Sequence, residues 1–116
     1  MKTGTSIDSL INSLMEMIKI LSLDSSCPWL PVFSALLEKA ESLKLQGGNR
    51  NELIDLVSSI IDLYSSGSGF TDYAPLEFNP GTRGYYYIIG AENFAEVSHE
   101  LFSAATAVRS ITGFYT

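Results

Sequence analysis

Apolar residues return every three or four positions along most of the chain, the period of a helix with one buried face, and lose that period only between residues 65 and 90. From Ile7 they fall at Leu10, Ile11, Leu14, Met15, Ile18 and Leu21, which predicts a first helix over 6–22. Thr5 or Ser6 can cap its start, and Asp8 suits the positive end of its dipole. Met17 and Ile20 stand off this stripe and widen it, as in a helix that touches more than one neighbour. Residues 23–28 form a turn, because serine and aspartate compete for backbone bonds and Pro28 cannot continue a helix. A second helix follows, with Trp29, Phe33, Leu36, Leu37, Ala40 and Leu43 on its stripe and with Pro28 and Pro31 in its first turn or just before it. Trp29 then anchors the core between these helices, or buries its ring and offers its indole edge to a partner.

Gly47 and Gly48 end the second helix, and Asn49 or Asn51 caps a third, over 50–64, striped by Leu53, Ile54, Val57, Ile60, Ile61 and Tyr64. Asp55 and Asp62 share a side of it and make a negative strip. The run 63–73 interrupts the period with small residues and then brings Phe70 and Tyr73. Glycine supplies conformational freedom there and the aromatics tie the loop to a core, so a packed loop is expected. In 73–90, Asn79-Pro80-Gly81 is a turn signal, with glycine expected at the position of positive φ. Leu76-Glu77-Phe78 and Tyr85-Tyr86-Tyr87-Ile88-Ile89 have strand composition. A short hairpin results, and because an isolated pair of strands is marginal it should lie against the helices. A last helix over 91–110 carries Phe94, Val97, Leu101, Ala104, Ala105 and Val108, and the tail aromatics Phe114 and Tyr115 should fold back onto the body. The fold expected is mostly α: a four-helix single domain with a structured loop or short β-hairpin between helices 3 and 4.

Composition agrees and narrows the function. A chain of 116 residues fits one domain with one core. Hydrophobic residues at 46% and a mean hydropathy of +0.17 leave apolar surface to spare for self-association, including a homodimer, or for a partner. Thirteen acids against seven bases give a net charge of −6, which opposes binding to nucleic acid and favours a basic protein partner. Cys27, the only cysteine, admits no internal disulfide and is expected as a buried or semi-buried thiol of a cytoplasmic protein. Residues 2–8 lack the apolar core of a secretory signal, and no apolar run approaches the roughly 18 residues of a membrane span, so a soluble protein without membrane association is expected.

Chemistry is sparse. Glu96 and His99 stand one helical turn apart, with Glu92 and Glu100 nearby. A di-metal bundle site needs two such pairs, and His99 is the only histidine. A solvated acidic face is the expected reading, with no metal or other cofactor. No nucleophile elbow surrounds His99, and Gly67-Ser68-Gly69 lacks the lysine and helix of a phosphate loop, so no enzyme is expected. Binding is better supplied. Between residues 50 and 100, Glu52, Asp55, Asp62, Asp72, Glu77, Glu92, Glu96 and Glu100 face only Arg50 and Arg83, a field that steers a basic surface. Adjacent residues of an extended chain point to opposite faces, so one tyrosine of the triplet should face out while another packs, unless all three are half-buried cover. Asp72, Tyr73, Glu77, Arg83, Tyr85, Tyr86 and Tyr87 form the expected partner interface.

The order of these features resembles a bacterial family of small helical proteins in which a tryptophan opens the second helix and a later helix ends in Tyr-Gly-Gly-Met-Gly-Ser-Phe-Asn-Asp. Trp29, Tyr64, Phe70 and Asp72 keep the mutual spacing, and a terminal helix begins near Asn93 and carries Leu101-Phe102. The chain departs at Ser65 to Gly69, where small residues appear in another order, and at Tyr73, where an aliphatic is usual. The match spans residues 10–110. Such proteins resemble immunity proteins of bacterial toxin systems, so the resemblance implies a cytosolic protein that binds a cognate toxin and blocks its active site. It carries over no catalytic residue. The alternative from the residues themselves is a non-catalytic helical adaptor or self-associating module.

Overall fold

A computed structural model describes residues 3–47, 50–65, 67 and 69–112, with the backbone alone at 3–6, 50, 111 and 112. Four helices and one hairpin follow in order: α1 (Thr3–Leu21), α2 (Leu30–Gln46), α3 (Arg50–Asp62), a short 3-10 helix (Phe70–Asp72), β1 (Leu76–Asn79), β2 (Gly84–Tyr87) and α4 (Phe94–Thr112). The mostly α class and the hairpin between the third and fourth helices are as the sequence predicts. α1 packs on α2 and α4, and α3 packs on α2 and α4, so each helix touches two neighbours around one core.

Contact with two neighbours explains the breadth of the apolar face of α1. Leu10, Leu14, Met17 and Leu21 are fully buried and Ile20 nearly so, while Met15, on the expected stripe, is 50% exposed. Met17 and Ile20 therefore belong to the core and Met15 does not. On α3, Leu56 joins Val57 and Ile60 in full burial although the predicted stripe omits it. From α2 come Phe33 and Ala40, and from α4 Leu101, Ala105 and Val108.

The helix ends correct several boundaries. α1 begins at Thr3, so Thr5 and Ser6 lie inside its first turn instead of capping it. α2 begins one residue after Trp29, which occupies the N-cap position without a side-chain bond and is half-buried. Gly47, at φ 75°, takes the left-handed C-cap and donates its N–H to Lys44 O. Capping by Asn49 and the packing of Phe114 and Tyr115 lie outside the described residues. α4 starts three residues later than expected, because Ala91–Asn93 form the turn that leads into it. Ala91 N–H donates to Ile88 O, Phe94 N–H donates to Ala91 O, and the Glu92 carboxylate accepts the Gly90 N–H at 3.0 Å.

One expectation fails outright. The hairpin does not lie against the helices: β1 and β2 pair with each other, and among the described residues neither packs on a helix.

Candidate functional site

The loop at 63–73 sets the base of the hairpin, and a single ring holds that loop. Phe70 is 2% exposed and lies among Trp29 (ring centroids 5.4 Å apart, 75° between planes), Phe33 (5.1 Å), Tyr64 (5.5 Å, 86°), Phe94 (6.3 Å) and Tyr73 (6.4 Å, stacked). Edge-on and offset arrangements of this kind add to the area they bury. The chain turns into this cluster at Gly69, whose φ of 90° favours glycine, while a Cβ there would meet the Trp29 ring at 3.7 Å, an ordinary contact. The expected packed loop is therefore present.

Two tyrosines fasten the cluster to other elements. The Tyr64 hydroxyl donates to the Ser98 carbonyl and accepts from Ser98 Oγ, both at 3.0 Å, which joins the end of α3 to α4. The Tyr73 hydroxyl donates to Asp24 Oδ2 at 2.7 Å, which joins the loop to the turn after α1. Burial pushes the Tyr64 phenol above its ordinary pKa, against the lowering effect of the Ser98 bond. The Tyr73 phenol is raised further, first by burial and then by its hydrogen bonds to Cys27 and Asp24 and by their charge. Cys27 is half-buried, beside this phenol.

Between this loop and α4 lies an open cleft of about 350 Å³. Phe70, Tyr73, Phe94 and Phe102 give it aromatic walls, and Thr71, Ser98 and His99 bring polar atoms. Ser98 Oγ serves the fold, donating to Tyr64 and not to His99. Glu96 and His99 are exposed on α4, and among the described residues no group of three or more histidine, cysteine or acidic side chains is placed to hold a metal ion.

The hairpin presents the other candidate surface. Its register pairs Leu76 with Tyr87, Glu77 with Tyr86, Phe78 with Tyr85 and Asn79 with Gly84. Directly paired side chains share a face, so Leu76, Phe78, Tyr85 and Tyr87 line one face and Glu77 and Tyr86 the other. The first face is apolar yet open to solvent, with Phe78 52% and Tyr85 68% exposed and their rings 5.3 Å apart. On the second face the Tyr86 ring covers Gly84, 3.3 Å from where a Cβ would stand. At the tip, Arg83 N–H donates to Asn79 O at 2.8 Å and Asn79 Oδ1 accepts the Gly81 N–H at 2.9 Å. Closing this four-residue loop demands a left-handed residue at its end, and that residue is Arg83 (φ 57°). Gly81 does not take positive φ as expected.

Of the residues predicted to bind a partner, the structure gathers Glu77, Arg83, Tyr85, Tyr86 and Tyr87 on the hairpin. Asp72 is exposed in the 3-10 turn before it, while Tyr73 is half-buried in the ring cluster with its hydroxyl engaged. Exposure falls from Tyr85 (68%) through Tyr86 (52%) to Tyr87 (37%), so no tyrosine of the triplet packs fully inward and the expected split of one in and one out is not seen. Sequence reasoning missed Leu76 and Phe78 as members of the exposed face. Their signal was the turn at Asn79-Pro80-Gly81, which brings 76 and 78 opposite 87 and 85 once the loop length is fixed. No protein-family model, no curated protein and no solved structure matches the chain.

Proposed function

We propose that this chain is a non-catalytic binding protein that lays the aromatic face of its hairpin on a basic protein partner and blocks that partner's working surface. The observation that carries the reading is the solvent-open face of Leu76, Phe78, Tyr85 and Tyr87 on a hairpin that no helix covers. Tyrosine and phenylalanine anchors of this kind supply most of the energy of protein interfaces once desolvated, and they lie here on a segment displayed by a helical body. Charge supports a basic partner: the chain carries −6, and Asp72, Glu77, Glu92, Glu96 and Glu100 are all exposed in its second half. The resemblance of Trp29, Tyr64, Phe70 and Asp72 to the immunity-like family makes a bacterial toxin the proposed partner and the cytoplasm the proposed site of action.

Co-expression with the product of the neighbouring gene, taken as the candidate toxin, tests the reading. Alanine at Tyr85 and Tyr87 should cost about 2 kcal/mol or more of partner affinity, roughly thirtyfold in Kd, and weaken protection without shifting the unfolding midpoint. Charge reversal at Glu77 should slow association and flatten its salt dependence. Intact protection in these variants, with protection lost on substituting exposed positions of α1, would overturn the assignment.

A further inference from the structure

A two-stranded sheet has two outer edges, and here the edges differ. Ile88 N–H donates to Pro75 O at 3.0 Å, which makes Pro75 and Ile88 a hydrogen-bonded pair at the base of the ladder. Bonded and non-bonded pairs alternate in an antiparallel ladder, so Glu77–Tyr86 and Asn79–Gly84 are bonded while Leu76–Tyr87 and Phe78–Tyr85 are not. The backbone groups of Leu76, Phe78, Tyr85 and Tyr87 therefore point outward. On β1 this edge is blunted: Leu76 N–H is spent on Ala74 O at 2.9 Å, and Pro80, next in the same alternation, has no N–H. On β2 the outward N–H and C=O groups of Tyr85 and Tyr87 stand in an uncharged run from Gly84 to Ala91, with no proline or charge to deter a further strand.

We propose that two copies of this chain pair antiparallel through the outer edges of their β2 strands, about a two-fold axis through Tyr86, forming a four-stranded sheet in the order β1-β2-β2-β1. Tyr85 of one copy then opposes Tyr87 of the other, and the two such pairs each exchange both N–H···O bonds. An axis perpendicular to the sheet keeps the two aromatic faces on one side and doubles that surface. Two molecules each carrying −6 repel, but the paired strands bear no charge, so the occupant this edge tolerates is one as uncharged as itself, a second β2. Assembly ends at two because the blunted β1 edges are what remain outside. An edge-to-edge contact of this size falls below the roughly 1,000 Å² of a permanent interface, so the equilibrium is concentration-dependent and strengthens with salt.

Sedimentation velocity of the whole chain over a concentration series, without any partner protein, tests this apart from the toxin reading. The native chain should pass from monomer to dimer, and Tyr87→Pro, which removes an outward N–H and leaves the inward ladder bonds, should weaken association at least tenfold. Tyr87→Thr, which keeps the N–H, should stay within a few-fold of native. A second arm does not depend on the proline variant folding: in a Cys27→Ser background, Tyr86→Cys should oxidise to a disulfide-linked dimer across the axis, and Glu77→Cys should not. A native chain that stays monomeric at every concentration, equal association by Tyr87→Pro, open-ended assembly, or equal crosslinking at positions 77 and 86 would each overturn the proposal.

Discussion

Phe70 concentrates more of the tertiary structure than any other side chain of the loop, because its ring touches residues from α2, the end of α3, the start of α4 and the loop itself. Phe70→Ala leaves a cavity that rigid neighbouring rings cannot fill, and should cost about 3–5 kcal/mol, read as a drop in the denaturant midpoint at unchanged m-value. A neutral outcome would mean that the loop is not held by this ring. Arg83 is a different case. Its left-handed backbone strains any side chain, so Arg83→Gly should stabilise the hairpin by about 0.5–1 kcal/mol. Because neither strand packs on a helix, the gain should appear as slower hydrogen exchange of hairpin amides and not as a higher global midpoint. The two roles were unequally legible in the sequence. Phe70 and Tyr73 could be read as packing residues from their size beside small neighbours, but the turn geometry that puts Arg83 rather than Gly81 in the left-handed region depends on loop length, which composition does not set.

The helices were legible because each repeats its signal over many residues: Ile7, Leu10, Leu14 and Leu21 suffice to place α1 whatever Met15 does. Errors of one residue arise where two neighbours widen or shift the buried face, as at Met15, expected inside and exposed, and Leu56, omitted and buried. The hairpin was legible as a pair of strands and illegible as a position. Apolar residues on a short strand ordinarily mean cover for a core, and nothing in Leu76, Phe78 or Tyr85 distinguishes a face turned to helices from one turned to water. What replaces the missing helix contact is local: the Asn79–Arg83 and Pro75–Ile88 bonds, the Asn79 side chain and the Phe78–Tyr85 ring pair. Replacing 76–87 by a short glycine-serine linker should therefore leave the helical circular dichroism and the unfolding midpoint nearly unchanged while abolishing partner binding and dimerisation. A large loss of midpoint would show that the hairpin supports the bundle.

At the scale of the molecule, two raised phenols make stability depend on alkaline pH. In the folded chain Tyr64 and Tyr73 ionise above the ordinary phenol value of 10.0, whereas in the unfolded chain they ionise near it. Their contribution is thus fully present below 10.0 and is lost as pH rises above it, because the unfolded state alone releases its protons there. The denaturant midpoint should fall from one pH unit below that value to one unit above it, and Tyr73→Phe should flatten the fall. An equal fall in the variant would place the alkaline sensitivity elsewhere.

Trp29 is the only tryptophan of the chain, and its ring stands edge-on to Phe70 and against Gly69. All indole fluorescence therefore originates at the point where the loop is fastened to α2. If the loop lifts while the helices persist, emission moves to the red before the far-ultraviolet signal of the helices changes. Coincidence of the two transitions on thermal or chemical unfolding would instead mark loop and bundle as one cooperative unit, so the chain carries its own optical probe for whether its base and its body come apart together.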